Sequence, residues 1–220
     1  MSKRQMMNKE LAMSILMKID SSPMGERSIS RKLTEEFAKT WIESHPDGSV
    51  ITRDLTTTDI PVVDGAWVAA AYTREDARTA EQKGILRVSD MLIADLQKAD
   101  EYVVGVPMHN FSIPSTLKLW IDQVMRAGKT FAYGSNGAKG LLTGKKATLL
   151  MASGGVYEHG TALASLNFVT PYLLTVFGFM GVTDVNFIAA EGTSKLMTGK
   201  VDRQAFLAPS LEKVQAQASL

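Results

Sequence analysis

The chain has 220 residues, 45% hydrophobic and 21% charged, enough apolar material for a full core and with no linker-like stretch to divide it. Its 24 basic and 23 acidic residues are spread evenly, so no surface is set apart for nucleic acid or an anionic membrane. The lack of cysteine, with three scattered histidines (His45, His109, His159), excludes disulfides, thiolate nucleophiles and a credible metal set.

Apolar runs break well short of the ~20 residues a spanning helix needs, and no signal-peptide core is present, so a soluble, cytoplasmic protein is expected. In chain order, residues 1–12 (MSKRQMMNKELA) carry no pattern and are expected to be a disordered extension or tag, leaving 13–220 as a single domain. The run MSILMKI (13–19) predicts the first strand, followed by a helix in which Ile29, Leu33, Phe37 and Trp41 recur every four residues. SVITRDL (49–55) predicts a second strand. The interval 56–80 is too long for an ordinary connection and, with Ile60, Val62, Val63, Trp67, Val68 and Tyr72, suggests a subunit contact.

A helix containing Leu86, Met91, Leu92 and Leu96 then leads to a third strand, EYVVGVP (101–107). Leu117, Trp120, Ile121, Val124 and Met125 mark the next helix, with a proline suited to its first position and Gly128 closing it. KATLLMAS (146–153), a helix across 162–178, VTDVNFIAA (182–190) and a helix from Asp202 complete five strand–helix units. Continuous rather than alternating apolar strands predict a doubly wound α/β fold, a parallel sheet covered on both faces.

In such a sheet ligands bind beyond the carboxyl ends of the strands. After strand one, Ser22, Ser28, Ile29 and Ser30 lie in a hydroxyl-rich loop feeding a helix N-terminus, which suits a phosphate, although a serine there is equally a plain helix cap. After strand three, Pro107, Met108, His109, Asn110 and Phe111 offer an amide and apolar surface for a flat ring, or else an Asx turn with a core phenylalanine. After strand four, Ala152, Ser153, Gly154 and Gly155 provide close backbone approach, or only a tight turn. Each signal is weak alone; together they fall on the ends that a doubly wound order gathers.

The segments SSPMGERSIS, PMHNFSIPSTLKLWID, RAGKTFAYGSNGAKGLLTGKKATLLMASGGVY and FGFMGVTDVNFIAAEG together resemble the FMN-dependent NADH:azoreductases, or NADH:quinone oxidoreductases, in register from about Met13 to Gly192. The resemblance implies a flavodoxin-like three-layer sandwich with strand order 2-1-3-4-5, and a homodimer. It also implies FMN, its phosphate at Ser22, Ser28, Ile29 and Ser30 and its ring between residues 107–111 and 152–155. Phe131 and Tyr133 match family aromatics of the substrate pocket, with Phe177 or Phe179 on its other wall. His109 stands where the family often has tyrosine, and Ala152-Ser153 where it often has serine, sometimes followed by arginine.

The implied reaction is two-electron, ping-pong reduction of quinones or azo compounds with NADH as donor, NADPH remaining open. The flavin carries the hydride, so no catalytic side chain and no metal are required. The rival readings are a flavodoxin-type electron carrier, which a balanced charge disfavours, and a cofactor-free interaction module of the same fold.

Overall fold

Five apolar strands form one parallel sheet: β1 (Ile15–Asp20), β2 (Ser49–Asp54), β3 (Glu101–Pro107), β6 (Lys146–Ala152) and β7 (Asp184–Ala190). The structure, a computed structural model, describes residues 14–135, 137–199 and 201–220; the expected extension at 1–12 lies outside the described residues. The sheet order is β2-β1-β3-β6-β7. The numbering departs from 2-1-3-4-5 because an unpredicted antiparallel hairpin, β4 (Phe131–Gly134) with β5 (Gly137–Gly140), enters the chain between β3 and β6.

Alternation along the strands supplies two faces. Tyr102, Val104 and Val106 of β3, with Leu149 and Met151 of β6, pack under helices α3 (Ala80–Lys98), α4 (Ser115–Val124) and α5 (Val169–Met180). Val103 and Leu150 face the other way, under α1 (Ile29–Ser44) and α6 (Arg203–Ala218), where Leu33, Phe37 and Trp41 recur at helical spacing as expected. The register brings Asp20 opposite both Asp54 and Gly105, and Pro107 opposite Ala152, so the carboxyl ends of adjacent strands open at one level.

Three local readings change. The interval 56–80 is not an irregular loop: Asp64 caps α2 (Gly65–Tyr72), its carboxylate accepting from the Trp67 amide at 2.8 Å. Trp67 is buried, and its indole donates to Gln123. Helix α4 ends at Val124, whose carbonyl accepts from the Thr130 hydroxyl at 2.7 Å; Gly128 (φ 78°) serves the following turn instead, and Pro114 sits at the N-cap rather than inside the helix. Helix α5 starts at Val169, later than predicted, because Asn167 caps it by accepting from Val169 and Thr170 N–H.

Candidate active site

The first loop is built against the sheet. Gly105 admits α1 closely, since a Cβ there would meet Thr34 and the Ser30 carbonyl at 3.0 and 3.2 Å. Ser21 donates to the Gly105 carbonyl at 2.7 Å, fixing the start of the loop. Ser22, Ser28 and Ser30 are all buried; the hydroxyls of Ser28 and Ser30 lie 3.2 Å apart, and Ser28 accepts from the Arg31 amide as the cap of α1. The cap reading holds for Ser28, and the same residue belongs to a hydroxyl cluster at a helix N-terminus, a place where free N–H groups and the helix dipole favour anions.

A charge network surrounds this loop. Arg31 donates from Nε and Nη2 to the Ser22 carbonyl at 2.9 and 2.8 Å, and from Nη2 to Asp54 at 2.7 Å and Thr56 at 3.2 Å. The buried Asp20 lies 3.7 Å from Arg31 Nη1 and accepts from Lys18 at 2.7 Å and Thr34 at 2.6 Å. The Arg31 hydrogen bond holds the Asp54 carboxyl down to about 2, well below its ordinary range. Sequence reasoning missed these residues because a basic residue in the first turn of an amphipathic helix looks like ordinary solvated charge. Arg27, the basic residue next to the serines, is exposed, and its carbonyl accepts from Arg203.

The second loop is a tight turn. His109 and Ser112 exchange N–H···O bonds at 2.9 and 3.0 Å, and between them Asn110 (φ 48°) and Phe111 (φ 69°) both take the left-handed conformation. This is the mirror-image turn that favours Asn first and glycine second, so a phenylalanine in the second place is held against its preference. Its ring is 45% exposed, and its carbonyl accepts from Phe168 N–H at 3.1 Å. Met108 N–H donates to the Ala152 carbonyl at 2.8 Å, tying this loop to the third one. A cleft of about 470 Å³ lined by His109, Asn110, Ser112, Ser115, Lys118 and Tyr172 adjoins the turn.

In the third loop the carbonyls of Ser153, Gly154 and Gly155 all accept from the segment 192–194. That orientation leaves Gly154 open, since a Cβ there would approach nothing nearer than Ser194 at 4.0 Å, whereas Gly155 is confined by Leu163 and Tyr157.

Of the pocket aromatics, Phe131 packs edge-on to Tyr133 at 5.5 Å and to Phe179 at 4.9 Å. Phe177 instead lies in the core against Tyr102 and is 1% exposed. Two residues along a helix are about 200° apart, so only one of the two can face the hairpin.

A family model described as a flavodoxin-like fold matches residues 13–217. An FMN-dependent NADH:quinone oxidoreductase of Acidobacterium capsulatum is 53% identical over 207 residues, spanning 94% of this chain and 100% of that protein. The chain belongs to the flavodoxin-like FMN-dependent NADH:quinone oxidoreductase family. Among solved structures, an azoreductase from Bacillus anthracis str. Sterne superposes with a TM-score of 0.84 at 29% identity, covering 94% of this chain and 99% of that one. An FMN-dependent NADH-azoreductase from Bacillus anthracis str. Ames Ancestor, solved in complex with FMN, gives 0.83 at 26% identity, with 94% and 98% covered. Neither the carrier nor the interaction-module alternative is favoured by these oxidoreductase-family relatives. Among the described residues, no helix is long and apolar enough to cross a membrane, and no cluster of three or more acidic or histidine side chains could hold a metal.

Proposed function

We propose that the protein is an FMN-dependent NADH oxidoreductase that reduces quinones or azo compounds by two electrons, in the cytoplasm. The observation that carries this reading is the meeting of three unlike loops at the ends of neighbouring strands: a buried hydroxyl cluster at a helix N-terminus, a strained turn carrying an apolar ring, and an open Gly154. These residues fit the cofactor. Ser22, Ser28 and Ser30 with the first N–H groups of α1 suit the phosphate, and residues 107–111 and 152–155 suit the two sides of a flat ring.

When bound, FMN supplies the hydride chemistry. The chain's own part is to hold the ring by backbone and apolar contacts, and to present Phe111, Tyr133 and Phe179 as apolar surface for the nicotinamide and then the acceptor, with the buried Phe131 packed behind the last two. Since both substrates use one ring face in turn, double-reciprocal plots with NADH and a quinone varied should be parallel, and intersecting lines would show a ternary complex instead.

The reading extends to the whole chain, with residues 13–220 as one flavodoxin-like unit working as a homodimer. Support for the dimer comes from Val62, Val68 and Tyr72 on the 56–80 segment, which stay exposed, Tyr72 at 84%, while Ile60, Val63 and Trp67 pack inside the chain. The deciding experiment is an absorbance spectrum of the purified protein followed by titration with FMN, expected to give a flavin spectrum at one FMN per chain. Colourless protein that gives no heat with added FMN overturns the reading.

A further inference from the structure

The loop expected to take the flavin phosphate contains an oddity. Its basic side chain closest to the serines by hydrogen bonding, Arg31, does not offer its charge to the loop's open side. All its donors but one nitrogen are engaged: Nε and Nη2 on the Ser22 carbonyl, Nη2 also on Asp54 and Thr56, with Nη1 directed toward Asp20 at 3.7 Å. The side chain is 13% exposed. Lys18 is likewise committed to Asp20. Two cations, Lys18 and Arg31, thus meet two carboxylates, Asp20 and Asp54, and the group is neutral as a whole.

What such an arrangement can do is steric and dipolar. The Ser22 carbonyl is the one backbone acceptor of the loop that a forked guanidinium grips with two N–H groups, and because its peptide leads into Pro23, which has no N–H, the grip acts on the carbonyl alone. A carbonyl left free to swing toward the phosphate would set a partial negative charge against a dianion.

We propose that Arg31 is a positioning residue for the phosphate loop: it draws the Ser22 carbonyl away from the anion toward the Asp20–Asp54 side, so that hydroxyls and N–H groups, and no carbonyl, face the phosphate. This rests on the FMN reading given above. It differs from the ordinary role of a basic residue near a phosphate, which is to pair with it directly. Lysine cannot substitute, since a single ammonium cannot take Ser22, Asp54 and Thr56 with the geometry of a planar fork.

The test compares FMN with riboflavin, which shares the ring but lacks the phosphate. Apoprotein of the wild type, Arg31→Lys and Arg31→Gln is titrated with each flavin by fluorescence quenching, with circular dichroism melting curves run alongside. Arg31→Lys should weaken FMN by about ten-fold and riboflavin by less than about three-fold, the size expected when a charge-assisted pair of hydrogen bonds is lost. Equal losses for the two flavins, or no loss for FMN, overturn the proposal and leave Arg31 a structural residue. Should Arg31→Gln not fold, the lysine variant carries the comparison.

Asp54→Ala separates positioning from direct pairing. Releasing Arg31 from its carboxylate loosens the Ser22 grip and should weaken FMN, whereas an arginine that paired with the phosphate would gain charge toward it, so tighter FMN overturns the proposal. Wild-type protein that binds neither flavin refutes the FMN reading itself; wild type that binds FMN while the variants fail the comparison refutes only the role of Arg31.

Discussion

Phe111 sits at φ 69° and is 45% exposed, so neither backbone preference nor full burial accounts for a large side chain there. A left-handed conformation costs a residue with a Cβ about 1–2 kcal/mol, and glycine would remove that cost while giving back about 0.5–1 kcal/mol in unfolded-chain entropy. Phe111→Gly should therefore leave the melting temperature nearly unchanged or slightly raised, while raising KM for aromatic acceptors; a fall of many degrees would show that the ring packs. At Ser28 the expected effects separate in another way. Aspartate there remains a good cap for α1, but sets a carboxylate where the phosphate is proposed to lie, and two like charges a few ångströms apart near a surface repel by roughly 1–4 kcal/mol. Ser28→Asp should keep its melting temperature, lose FMN affinity by about ten-fold to several hundred-fold, and keep riboflavin; loss of both flavins to the same degree would reduce Ser28 to a helix cap. The serines, the Asn110-Phe111 turn and the glycine pair were all legible in the sequence because each is an unusual residue type at a strand end. Arg31, Asp20 and Asp54 were not, since their roles exist only once β1, β2 and α1 are brought together.

At the scale of elements, the part least legible was the hairpin. Its strands, FAYG and GAKG, are four residues each and mostly glycine or alanine, with no alternation to read. What places it is a contact that no local pattern reveals: a Cβ on Gly140 would overlap the Gly181 backbone, and Leu142 N–H donates to the Met180 carbonyl at 2.8 Å, so the base of the hairpin is pressed onto the end of α5. Gly181 (φ 100°) also closes that helix. Gly140→Ala must push two backbones apart, which neither can do freely, at a cost on the order of 1–3 kcal/mol. Since Phe131 meets Phe179 across the same junction, this variant should raise KM for the acceptor more than it lowers flavin affinity; a wild-type melting curve with wild-type KM would contradict the account. Helix α2 was missed for a related reason: DGAWVAAAY has good caps and helix formers but shows no amphipathic period, because its exposed face (Ala66, Val68, Ala69, Tyr72) is as apolar as the buried Trp67 and Ala70. The strands, by contrast, were read within about two residues because their apolar runs are strong, while the helix expected from residue 162 begins only at Val169.

For the molecule as a whole, the Arg31–Asp54 pair sets an acid limit. The folded carboxyl of Asp54 titrates near 2, below its ordinary 3.8, so the pair's contribution is complete above about pH 4 and is lost as the pH falls toward 2. Melting temperatures followed from pH 6 to pH 2 should show wild type losing its advantage over Asp54→Asn across that window; parallel curves would mean the pair contributes nothing. Assembly is checked by sedimentation, where a dimer near twice 23.9 kDa is expected, and Tyr72→Lys with Val68→Lys should shift it toward monomer. An unchanged dimer would place the contact elsewhere.

The strand order has a bearing on how the protein is made. β1 is synthesised first yet lies inside the sheet, between β2 and β3, and the Ser21 hydroxyl finds its acceptor at Gly105, 84 positions later. The segment that grips the third loop follows it by 40 positions, and Arg203 reaches back 176 positions to the carbonyl of Arg27. Sheets assembled from such distant pairings close slowly, after the loop entropy between them has been overcome. On the ribosome the serine cradle therefore emerges early and waits unwalled until almost the entire chain has left the exit tunnel, so a nascent chain halted before β6 should hold no flavin, and cofactor loading belongs to the completed protein.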